Sequence, residues 1–186
     1  MLVCGKISHM NQFKEWVKNR PNFIFVLAII CTFFWACSKH YQIRRSSFEP
    51  LMVQKKIHIP KNFNVTDFLK TALNYRGIRY RYGGNTVKGA DCSGFTQLVF
   101  RSHGMTLPHS SSLQSRYGRY ISKDEKLIPG DLVFFQTYKR GPSHVGIFLG
   151  KNRFIHSSYG RKKVIISSMN STYYQTRYLG AKRFFD

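Results

Sequence analysis

Acidic residues are scarce in this 186-residue chain: eight Asp and Glu stand against thirty Lys and Arg, a formal net charge of +22. Residues 1–36 hold only +3 of it, from Lys6, Lys14, Lys18 and Arg20 against Glu15, so the remainder carries +19. Such a surface seeks polyanions. The cations are scattered and no nucleic-acid-binding motif occurs, so an anionic envelope polymer or a membrane surface is expected as partner, and no nucleic acid. Internal repeats are absent. Cysteine is scarce too: the chain has four, Cys4, Cys31, Cys37 and Cys92. The longest apolar run, Phe23 to Ala36, has 14 residues, short for a full membrane span. What is plentiful is core material: 42% hydrophobic and 16% aromatic residues, enough for about one folded domain and not a disordered composition.

The N-terminal stretch reads as a targeting segment. Lys14, Lys18 and Arg20 form a basic region, Phe23 to Ala36 an apolar one, and Ala36-Cys37-Ser38 has the form of a lipoprotein cleavage junction. The expectation is a signal segment over 1–36, lipid on Cys37 and a polar tether over 37–63; an uncleaved anchor or plain secretion is the alternative, and Met10 opens a more typical signal than Met1. Cleavage before Cys37 removes Cys4 and Cys31, and lipid blocks Cys37. Cys92 is then a lone exported thiol, without a disulfide partner or a second Cys for a zinc site.

Asn64 to Asn74 reads as a helix: Asn64 is a good N-cap, and Val65, Phe68, Leu69 and Ala72 form an apolar stripe. Asp91 is a second N-cap. Phe95, Leu98, Val99 and Ser102 follow at helical spacing, and Gly104 marks the stop. Cys92 would then be the first helical residue, where the helix dipole and free amides favour the thiolate. Ser111 to Tyr117, closed by Gly118, reads as a short helix. Beyond Pro129-Gly130 the period changes. Asp131 to Phe135, His144 to Leu149, Arg153 to Ser157, Val164 to Ser168 and Leu179 to Phe185 read as strands. Helices first and strands after predict an α+β domain with N-terminal helices packed on a C-terminal antiparallel sheet.

A cysteine hydrolase needs a thiolate, a base and a group orienting the base. Folding about Gly150-Lys151-Asn152 would bring His144 and His156 roughly opposite each other, and a one-residue slip would split them between faces. His144, which begins its strand at the sheet edge, is expected as base and His156 as orienter. Zinc on Cys92, His144 and His156 is the alternative, though a fourth ligand is missing. His58, His103 and His109 read as surface or loop residues.

The segments Tyr80-Arg81-Tyr82-Gly83-Gly84, Asp91-Cys92-Ser93-Gly94-Phe95, Leu107-Pro108, Pro129 to Phe135, His144 to Gly150 and Phe154 to Ser158 resemble, in order and spacing, the NlpC-type family of bacterial cell-wall peptidases. Val164 to Asn170 with Tyr173 and Tyr178 resembles the murein endopeptidase lipoproteins of the Spr/MepS type. The resemblance covers roughly 64–185 and implies a small papain-like domain. It implies Cys92 as nucleophile, His144 as base, His156 as third polar residue and Tyr80 beside the nucleophile, with Asp91 and Ser93 where relatives bind the peptide's amine. The implied activity is cleavage of peptidoglycan stem-peptide amides: the D,D-crosslink, or alternatively the γ-D-glutamyl bond, with a non-catalytic wall-binding lipoprotein as the third reading. No metal or cofactor is expected. A monomer, lipid-anchored on the periplasmic face of the outer membrane, is the expected setting.

Overall fold

The computed structural model describes residues 53–122 and 124–185. The expected signal segment, Cys37 and the first part of the tether lie outside them. Helix α1 spans Val65–Asn74. Asn64 caps it as its side-chain oxygen accepts from the amides of Thr66 (2.8 Å) and Asp67 (3.2 Å). A two-stranded ribbon follows, β1 (Asn85–Thr86) and β2 (Gly89–Ala90), then α2 (Cys92–Arg101). After α3 (Ser111–Gln114) come β3 (Arg119–Ile121), β4 (Leu132–Phe135), β5 (His144–Gly150), β6 (Arg153–Ser158) and β7 (Lys163–Ser168). One-turn helix α4 (Thr172–Gln175) and strand β8 (Tyr178–Arg183) complete the chain.

The six longer strands form one antiparallel sheet in the order β3-β8-β4-β5-β6-β7. The expected α+β architecture holds. The sheet is buried on both faces. On one, Leu132, Phe134, Val145, Ile147 and Ile155 meet Phe68, Phe95, Val99 and Phe100 of the helices. On the other, Val133, Phe135, Phe148 and Phe154 gather with Ile121 and the partly buried Tyr174 and Tyr178. This two-sided burial is why Leu132–Phe135 reads as an unbroken apolar run.

Three details differ from the sequence reading. The second short helix ends at Gln114, because the chain turns into bridge contacts at Tyr117 and then into β3. Strand β5 is interior, flanked by β4 and β6, so His144 begins its strand without lying on an edge strand. The described part of the expected tether, 53–63, lies against the domain. Lys55 bridges Tyr117, the buried Lys182 ammonium donates to the Val53 carbonyl, and the Phe63 ring stacks on Phe185 at 4.1 Å.

Candidate active site

Helix α2 begins at the site because Asp91 stops the extended backbone and caps the first turn. One carboxylate oxygen, Oδ1, accepts from the Gly94 amide (2.7 Å) and the Ser93 hydroxyl (3.0 Å), and Oδ2 accepts from the Gly83 amide (3.0 Å). His109 Nε2 lies 3.1 Å from Oδ1. The carboxylate is thus fully engaged, and Ser93 serves it. The helix can sit this close to the Gly83-Gly84 turn only because residue 94 is glycine; a Cβ there would collide with the Gly84 carbonyl oxygen.

Cys92, the first residue of α2, is partly buried, and the backbone amides around it, those of Val145 and Ser93 first, favour its charged form. These pull the thiol pKa down, as a helix start should. Burial outweighs them, and Asp91 adds to it, so the thiol is pushed up to about 12. The expectation of a thiolate favoured at rest is therefore corrected. Local helix geometry predicts one direction, and the desolvation that tertiary packing imposes on the charged form reverses it.

The histidines share a face but are not opposite each other. Ile147 pairs with Ile155 and Phe148 with Phe154. Continuing that register places Gly146, not His144, across from His156. The two histidines are diagonal neighbours, and Gly146 between them leaves the room: a Cβ there would stand 2.6 Å from the Phe154 ring and 3.0 Å from His156 Cβ. Across this gap His144 Nε2 and His156 Nδ1 are 2.8 Å apart. On its other side, His156 Nε2 meets the Ser167 hydroxyl at 2.9 Å and the Tyr174 hydroxyl at 3.3 Å. The Phe154 ring stacks on His156 at 4.7 Å.

These contacts couple the two rings' proton positions. For His144 to accept a proton through Nδ1, its Nε2 must carry hydrogen and donate to His156 Nδ1. His156 then carries hydrogen on Nε2 and donates to Ser167 or Tyr174. Burial pushes the His144 imidazole down to about 4, against an opposing pull from Asp91, and pushes His156 well below the ordinary value. Two nitrogens facing each other leave neither lone pair free for a shared ion. Among the described residues no three His, Cys, Asp or Glu are grouped to hold a metal.

An open cleft of about 680 Å³ gathers the expected catalytic and substrate-binding residues: Tyr80, Asp91, Cys92, Ser93, His144 and His156 all line it. Burial, with Cys92 next, pushes the Tyr80 phenol up to about 12, so it stays a proton donor beside the sulfur. Its ring meets Tyr159 edge-on at 5.4 Å. Three residues in the cleft or behind it escaped the sequence reading. His109 stands in a loop and is placed only by Asp91. Ser167 and Tyr174 reach His156 from β7 and α4, and only the paired register brings them there. Nucleophile, base, orienter and donors are the parts of a thiol-dependent acyl-transfer site.

The NlpC/P60 family model matches residues 77–183, more than half of the chain and all of this site. The chain belongs to the NlpC/P60 family. It is 47% identical over 111 residues to an Escherichia coli protein named murein DD-endopeptidase MepS/murein LD-carboxypeptidase, covering 59% of this chain and 57% of that one. It is 38% identical over 120 residues to a Bacillus cereus gamma-D-glutamyl-L-lysine dipeptidyl-peptidase, covering 63% of this chain and 36% of the relative. The chain thus spans little more than half the length of the first relative and about a third of the second. The solved structure of an NlpC/P60 family protein from Bacillus cereus superposes with a TM-score of 0.63 at 35% identity, over 69% of this chain and 42% of that one. NlpC/P60 membership accounts for the papain-like arrangement in which a helix-borne thiol and histidines on a sheet line one cleft.

Proposed function

We propose that this NlpC/P60 protein is a cysteine endopeptidase that hydrolyses stem-peptide amides of bacterial peptidoglycan, cutting the D,D-crosslink. The observation that carries the reading is the line Cys92, His144, His156 in an open cleft. Cys92 Sγ attacks the amide carbonyl as its proton passes to His144 Nδ1. The Cys92 amide and Tyr80 hydroxyl face the developing oxyanion. His144 returns the proton to the leaving amine, the C–N bond breaks, and water then releases the acyl group from sulfur by the reverse sequence. His156 holds the imidazole throughout. Residues 1–38 extend the proposal: export, removal of residues 1–36 and acylation of Cys37 would hold the enzyme at the envelope.

Two considerations support the D,D cut over the γ-D-glutamyl one. The Escherichia coli relative carries the D,D name. The Asp91 carboxylate, the group that would grip a stem's free amine, already accepts from Gly83, Ser93 and Gly94 and meets His109. The test is to incubate crosslinked dimers and uncrosslinked stems separately with the protein. Conversion of dimers to intact monomers is expected. Shortened stems with persistent dimers would replace this reading with the γ-D-glutamyl one, and no turnover of either would leave a wall-binding protein.

A further inference from the structure

The cleft holds donors that the proposed reaction does not use. Tyr82, Tyr138 and Lys139 line it alongside Cys92. The two tyrosines are 86% and 71% exposed, so their hydroxyls are open to a ligand. Among the described residues Lys139 is the one lysine or arginine that lines the cleft, and its ammonium stands 5.8 Å from the Tyr138 ring centroid. Neither phenol hydroxyl nor this ammonium has a hydrogen-bonding partner among the described residues. Burial, followed by the nearness of Cys92 and Tyr82, pushes the Tyr138 phenol up, so it remains a donor.

The acceptors that would neutralise such a group are elsewhere. Asp91, the one carboxylate lining the cleft among the described residues, is engaged by its own helix and turn. Asp67 pairs with Lys70, and Glu125 and Asp131 pair with Arg119 and Arg183. Two phenols and an ammonium lining one cleft without a partner suit a ligand that brings a carboxylate, since charge-assisted hydrogen bonds are the strong ones. Stem peptides carry free carboxylates along their length.

We propose that Tyr82, Tyr138 and Lys139 form a carboxylate subsite beside Cys92, which seats a free carboxylate of the stem peptide next to the amide being cut. The substrate assignment rests on the peptidoglycan reading; the subsite itself does not. Its consequence is specificity: stems whose carboxylate is amidated lose the ammonium contact and bind less well.

A local subsite must be separated from the general attraction of a +22 chain for any anion. Iodoacetate and iodoacetamide alkylate the same sulfur, expel the same iodide and differ only in bearing a carboxylate or its amide. Their relative rates at Cys92 are read by mass on the Cys92 peptide of the full chain. Lys139→Gln is expected to lower the iodoacetate preference about tenfold, with smaller falls for Tyr82→Phe and Tyr138→Phe. Lys151→Gln, which removes the same charge from the β5–β6 turn, should leave it near the wild-type value. Equal responses to Lys139→Gln and Lys151→Gln would overturn the subsite.

The second arm uses crosslinked dimers with the diamino-acid carboxylate free or amidated. The wild type should prefer the free form through KM, and Lys139→Gln should erase that preference with kcat retained. A response in alkylation without discrimination between dimers would overturn the substrate assignment. Failure to cut any dimer would defeat the peptidoglycan reading, while the alkylation ratio still decides the subsite.

Discussion

His144 and His156 meet nitrogen to nitrogen at 2.8 Å across a glycine, and this contact makes their roles unequal. His144 has one nitrogen left for the thiol. His156 has none, since its second nitrogen meets Ser167 and Tyr174. His144→Ala should lower kcat/KM about 10²–10⁴-fold, the usual loss for a general base. His156→Asn keeps an acceptor for His144 and should retain partial activity. Tyr174→Phe, which leaves the ring and removes the hydroxyl, should lower kcat without moving KM. Equal and complete loss in both histidine variants, with zinc recovered from the wild type, would restore the metal alternative.

The buried imidazoles also set a pH dependence. His144 is pushed down to about 4 and His156 is lowered well below the ordinary histidine value, both first by burial. Each folded pKa is depressed, so the unfolded chain gains protons before the folded one as pH falls below about 6.5. Full stability is present above that value and is lost progressively toward pH 4, by up to about 1.4 kcal/mol per pH unit for each group. Thermal melts should fall over this window, and His144→Gln should flatten the slope. The base meanwhile stays neutral in mild acid, so the acid limb of kcat/KM should lie well below pH 6.5. A limb at or above 6.5 would contradict the burial account.

Gly146 is the third test. A methyl group there meets the Phe154 ring, the Ile155 carbonyl oxygen and His156 Cβ, none of which is the free end of a flexible chain. Gly146→Ala should destabilise by about 1–3 kcal/mol, the usual range for overpacking. It should also displace His156 from His144, so activity should fall at temperatures where the variant is fully folded. A folded variant with wild-type kcat would show that the diagonal contact tolerates a shift.

Among the described residues both ten-residue helices were legible in the sequence because each carries its own cap and stripe: Asn64 before Phe68 and Ala72, Asp91 before Phe95 and Val99. The nucleophile and both histidines followed from that frame and from motif spacing. Other features depend on distant chain. Strand β3 exists only by pairing with β8, some sixty residues later, and four residues of α4 carry no period to read. Tyr174 and His109 therefore stood in apparent loops. The thiol's upward shift was illegible for a related reason, since the helix start is local and the burial comes from β5 and the cleft walls.

Asp91 is where the cap and the substrate compete for one side chain. Its oxygens hold the Gly94 amide at 2.7 Å, the Gly83 amide at 3.0 Å and the Ser93 hydroxyl at 3.0 Å, with His109 at 3.1 Å. If capping is its work, Asp91→Ala should destabilise by about 0.5–2 kcal/mol, because two amides lose their acceptor. The start of α2 would loosen, and with it the position of Cys92, so kcat should fall while KM changes little. Asp91→Asn should be intermediate: its amide oxygen replaces one acceptor and its NH2 confronts donors. If Asp91 instead grips a free amine, blocking the stem's N-terminus by acetylation should cripple the wild type and leave Asp91→Asn indifferent. The four contacts favour the first outcome, with cleavage by the wild type insensitive to acetylation. Steady-state kinetics on free and acetylated stems and dimers, beside a thermal melt of each variant, separates the two.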